Sequence, residues 1–177
     1  MDYSIFAPLE KYLLETVQPS FQKQGYLGAF DFFCIVIWKA NRAKSKVAKK
    51  ILLCSKAKNL DGACAQLTRE LHGASSDRDK LKLLLDKWKF RLPMASAILS
   101  ILYPDRFTIY DVRVCSQIKG FDNLDSKKQK VDEYFRFVSA VKGIVPEKGT
   151  LTEKDRWLWG KSFADDLKRD IEVSFSK

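Results

Sequence analysis

The sequence predicts an all-α fold, and three observations carry that expectation. Alternation of apolar and polar residues, the mark of a half-buried strand, is nearly absent. Glycine and proline are sparse, 8 and 5 in 177 residues, so few positions demand a break. Helix-start signals recur along the chain, each followed by apolar residues at helical spacing.

Taken in order, Ser4 to Val17 is amphipathic and is expected to end before Pro19, which lacks the N–H a helix interior needs. Asp31 to Ala40 is apolar on most sides and reads as a central helix. Its surroundings, "FDFFCIVIW" from Phe30 to Trp38, form the longest apolar run, too short to span a bilayer. Lys44 to Lys56 places Val47, Ile51 and Cys54 on one face and Lys46, Lys49 and Lys50 on another. Asp61 is expected to cap a helix that reaches Leu71 and stops at Gly73. Ser76 with Asp79 reads as a capping box opening a helix through Asp86.

Trp88 to Leu92 is then a tight connection, and Pro93 suits the first turn of a helix ending at Leu102. A helix–hairpin–helix of this kind can aim backbone N–H groups at a phosphate. Ser126 with Gln129 starts a helix to about Val141. Thr152 with Asp155 starts the last region, to about Ser174, with a break expected near Gly160.

Length allows one large domain or two small lobes sharing a core. An apolar share of 46% indicates a folded chain. The acidic, uncleaved look of the N-terminus gives no signal peptide. Cys34, Cys54, Cys64 and Cys115 are scattered without a C-x-x-C, so reduced core thiols in a cytoplasmic protein are expected, with no metal and no cofactor. The net charge is +10, unevenly spread. Lys39, Arg42, Lys44, Lys46, Lys49, Lys50, Lys56 and Lys58 fall in one stretch without an acid. Such a block favours a polyanion, a nucleic acid above all, or else merely solvates a helix face. It lacks the bulky aromatics of a membrane-surface helix.

"PMASAILSIL", Pro93 to Leu102, and "TIYDVRV", Thr108 to Val114, resemble the helix–hairpin–helix DNA glycosylases of base-excision repair. Eighteen positions separate Pro93 from Asp111, a spacing similar to that family's. "FFCIVIWKANRAKSKVAKKIL", Phe32 to Leu52, resembles the family's upstream helix pair in length and rhythm. The likeness covers about residues 30–118 of a single expected domain, 1–177. It implies a two-lobed helical bundle with a cleft between the lobes. It also implies a hydrolase that flips a damaged or modified base and releases it with water, without metal or redox cofactor; a monomer is expected.

On that resemblance Asp111 is the catalytic carboxylate, stabilising positive charge on the sugar; read from the residues alone it is a helix N-cap, and the two roles are compatible. Trp38, Lys39, Asn41 and Tyr110 are expected at a base pocket or duplex wedge, with core packing the alternative for both aromatics and an ordinary helix end for Lys39 and Asn41. Arg42, Lys46, Lys49 and Lys50 are expected on DNA phosphates, and Arg113 either there or paired with an acid. The chain departs from the family in three places. The hairpin "KWKFRLP" has no glycine, so Lys89 and Arg91 are expected to make the phosphate contacts as side chains. Pro93 stands where bifunctional members of that family carry a Schiff-base lysine, so lyase chemistry by that route is excluded. The C-terminal four-cysteine iron–sulfur loop of some members is absent.

His72 reads as a surface residue without a catalytic part. Trp157 and Trp159 are expected to anchor the C-terminal helices on the core, and Asp155 to pair with Arg156. Two rivals to the enzyme remain: a non-catalytic DNA-binding module of the same fold, and a helical protein whose basic stretch meets an acidic partner.

Overall fold

A computed structural model describes residues 9–144 and 149–174. Among them the only regular structure is helical. The chain divides into two compact units, Met1–Tyr103 and Pro104–Lys177. No helix among the described residues is long and apolar enough to cross a membrane.

The first unit opens with α1 (Leu9–Tyr12), which widens into a π-helical turn over Leu13–Val17 and continues as α2 (Gln18–Gln24). The helix therefore does not stop before Pro19. The wider turn lets Gln18 donate its N–H to the Leu13 carbonyl, and Pro19 then sits in the first turn of the next stretch, where its missing N–H costs nothing. The true stop is Gly25, at φ 76°, a left-handed position that suits glycine. Residues 4–8 of the expected first helix lie outside the described residues.

Helix α3 (Ala29–Ala40) buries Phe32, Ile35 and Val36. Asp61 caps this helix rather than its own: its Oδ1 accepts the Ala29 N–H at 2.8 Å. A Cβ on Gly28 would lie 2.8 Å from that same oxygen, so the approach needs a glycine. Helix α5 (Leu60–Gly73) is capped by Asn59, whose side chain accepts from Gly62 N–H at 2.8 Å, and it includes Gly73. A 3-10 turn, Asn41–Ala43, leads into α4 (Lys44–Cys54), with Val47 and Ile51 buried as the pattern required. Ser76 caps α6 (Asp77–Lys82) by accepting the Asp79 N–H, and a second π turn, Leu83–Lys87, extends it. Helix α7 (Leu92–Leu102) is the centre of this unit. All of its residues except Pro93 and Met94 are buried, beside the fully buried Trp88 and Phe21.

The second unit begins with an extended piece, Phe107 to Asp111, and a short helix, α8 (Val112–Ser116). A 3-10 turn (Leu124–Ser126) precedes α9 (Lys130–Ile144), and α10 (Leu151–Arg169) ends in a π segment, Asp170–Ser174. The N-cap of α10 is Thr150, two residues ahead of Thr152. Thr150 and Glu153 form a complete capping box, each side chain accepting the other's backbone N–H. Gly160 causes no break, because one glycine costs a helix only about 1 kcal/mol and capping and packing outweigh it. The extended piece is held from both sides: Thr108 donates its hydroxyl to Asp155 at 2.6 Å, and Tyr134 donates to the Thr108 carbonyl at 2.6 Å.

Candidate nucleic-acid interface

From Lys39 to Lys50 the acid-free basic stretch lies on three consecutive pieces: the end of α3, the 3-10 turn, and α4. Trp38 and Lys39 are half-buried in the last turn of α3, while Asn41 and Arg42 are exposed in the turn that follows. Lys44 donates to the Asn41 side-chain oxygen at 3.0 Å, which braces the corner. On α4, Lys46 and Lys49 are exposed, opposite the buried Val47 and Ile51 face.

Lys50 differs from its neighbours. Its Nζ donates to the Lys89 carbonyl at 2.6 Å and lies 5.7 Å from the centre of the Phe90 ring. It joins α4 to the connection between α6 and α7. The contact brings the basic connection that carries Lys89 and Arg91 against the helix that carries Lys46 and Lys49. Lys50 is correspondingly a clamp inside the protein as well as a charge.

That connection explains how it turns without glycine. Trp88 N–H bonds to the Leu83 carbonyl at 3.1 Å and Phe90 N–H to Leu84 at 2.9 Å. The second bond closes seven residues, one more than a Schellman stop because the π turn before it is wider, with Lys89 at the left-handed position, φ 56°. Lys89 thus stands where the backbone would prefer glycine. Lys87 and Trp88 secure the turn from behind: Lys87 ion-pairs with Glu70, and Trp88 Nε1–H donates to Glu70 Oε2 at 3.0 Å. Burial pushes the Glu70 carboxyl up, but the hydrogen bonds from Lys87, Gln66 and Trp88 outweigh it and hold the group below its usual range. Nothing in the sequence marks Glu70 for this part, since its partners lie 17 and 18 residues away.

Asp111, Tyr110 and Arg113 belong to the second unit. Asp111 is the N-cap of α8, its Oδ1 accepting the Arg113 N–H at 3.0 Å, and it is half-buried. Tyr110 is 8% exposed and works as a packing residue. Its hydroxyl donates to the Phe121 carbonyl and accepts from Leu124 N–H, both at 2.9 Å, while its ring meets Phe137 edge-on. Of the two openings left for Arg113, the acid is taken: its guanidinium pairs with Asp166 at 2.9 Å. It also lies over Trp159 and Phe163, whose rings stack in parallel 5.8 Å apart. The spacing of Trp159 and Phe163, i and i+4, was the available signal for that stack.

The two C-terminal tryptophans do not anchor α10 on the core. Trp157 and Trp159 are 42% and 45% exposed, and Leu151, Leu158 and Ser162 face inward instead. The thiols of Cys64 and Cys115 are buried and pushed up to about 12, chiefly by burial, so they stay protonated. No group of three or more potential metal ligands occurs among the described residues.

No protein-family model, curated protein or solved structure matches the chain.

Proposed function

We propose that the protein binds duplex DNA through the basic side of its first unit, and that its resemblance to helix–hairpin–helix glycosylases extends to base release by hydrolysis. The observation that carries the DNA-binding part is the Lys50 to Lys89 contact, which unites the acid-free basic stretch with the basic connection before α7. Arg42, Lys46, Lys49, Lys89 and Arg91 are all exposed there. Phosphate contacts of this kind position a duplex without reading its sequence.

In the catalytic part, Asp111 stabilises charge on the sugar as the base leaves and orients the attacking water. Its place at the start of α8 is compatible with that work. The chemistry needs no amine nucleophile, in keeping with Pro93. The second reading, a binding module without catalysis, is favoured by the glycine-free turn at Lys89, where a side chain rather than bare backbone must meet the phosphate.

Titrating duplex DNA against salt tests the binding. Each neutralised phosphate contributes a slope of about −0.9 to log K against log salt. Lys46→Glu with Lys49→Glu should weaken binding on all sequences alike and flatten the slope. Lys50 is left intact in this pair because it also holds the connection. Undetectable affinity at low salt ends the DNA reading. With binding present, failure to release any base from a broad panel of damaged duplexes selects the module.

A further inference from the structure

Helix α10 has two apolar faces. One, with Leu151, Leu158 and Ser162, is buried in the second unit. The other carries Trp157, Gly160, Phe163, Ala164 and Leu167, which fall on one side of a helical wheel at 3.6 residues per turn, and Ile171 follows in the π segment. Phe163, Leu167 and Ile171 are 46%, 43% and 53% exposed, as large apolar side chains rarely are in a row.

We propose that this face pairs with the same face of a second copy, antiparallel about a two-fold axis through Phe163. The charges at its ends are self-complementary. Arg156 stands seven positions before Phe163 and Asp170 seven after it, about two helical turns each way. In an antiparallel pair centred on Phe163, each Arg156 meets the partner's Asp170, giving two equivalent ion pairs. Seven positions are nearly two full turns, so on the wheel both fall close to Phe163. The same register sets Leu167 of one copy on the turn holding Gly160 of the other. A Cβ at Gly160 would meet nothing within 4 Å, so that turn has room for a close neighbour.

A second copy fits better than a lipid surface. Membrane-surface helices carry Lys and Arg on the polar side. Here Asp165, Asp166, Asp170 and Glu172 crowd the C-terminal half against Lys168 and Arg169. Two such faces together cover on the order of 1,000 Å², the lower edge of specific interfaces, so the dimer is weak and concentration-dependent.

Sedimentation equilibrium of the full chain from about 1 to 500 µM covers the affinity range of an interface this small. The wild type should pass from monomer to dimer across it. Phe163→Glu, at an exposed position, should remain monomeric with unchanged far-UV dichroism. Arg156→Asp and Asp170→Arg should each dimerise at least tenfold more weakly. Mixed in equal amounts they should recover association, because both cross pairs become opposite in sign, and the double variant should recover it alone. A wild type monomeric throughout, a dimer that survives Phe163→Glu, or no recovery on mixing overturns the proposal. So does a monomer that co-sediments with anionic phosphatidylserine vesicles through this face.

Discussion

Replacing Lys89 by glycine separates what the turn before α7 needs from what its charge contributes. At φ 56° the lysine occupies the left-handed basin, where an L-residue is disfavoured by roughly 1–2 kcal/mol. Glycine removes that strain, but its extra freedom in the unfolded chain returns roughly 0.5–1 kcal/mol. The net expectation is a gain of about 0.5–1 kcal/mol, or about 2–5 °C in the melting of the unit that contains it. The contact from Lys50 survives, because it is made to the backbone carbonyl. Lys89→Ala is the control: alanine keeps a Cβ, so the strain stays and stability barely changes. Both variants lose one cation, so each should flatten the DNA salt slope by about 0.9 if Lys89 holds a phosphate. Thermal and urea unfolding, followed by far-UV dichroism, give the stability half. A Lys89→Gly protein less stable than wild type, or no better than Lys89→Ala, would refute the strain argument.

Asp111→Asn should abolish base release while leaving stability within about 0.5 kcal/mol, because asparagine caps as well as aspartate; Asp111→Ala should cost about 1 kcal/mol through the lost cap. Abasic-site assays beside thermal melts read both, and full activity in Asp111→Asn removes the proposed chemistry. Glu70 sets an acid limit: its carboxyl is held below the usual 4.5, so the stability it contributes is present above that value and is lost as pH falls through the lower folded value. Urea unfolding repeated across acid pH should show this loss, and Glu70→Gln should remove that part of the pH dependence.

The sequence by itself determined the helical class and most helix locations. Local rules suffice there: Ser76 caps α6 through the N–H three residues on, and Val47 and Ile51 recur at the helical period. It also placed Asp111 at a helix start, since a carboxylate in an apolar segment needs a backbone N–H to accept. Where the structure differs, a competing arrangement that the local pattern does not display prevails. Pro19 did not end its helix because a π turn upstream absorbed it. Asp61 capped α3, 32 residues back, instead of α5.

Only the tertiary structure decided the partners of the charged and aromatic residues. A long side chain can meet any group that folding brings near, and sequence distance carries no record of it. Lys50 was read as one more cation on a basic face, yet it clamps a carbonyl 39 residues away. Arg113 found Asp166, 53 residues on, and Trp159 with Phe163 came to lie beneath it. For the same reason Trp157 and Trp159, expected as anchors, are exposed instead. Periodicity shows that a helix has apolar sides, but only the packed neighbours show which side is covered.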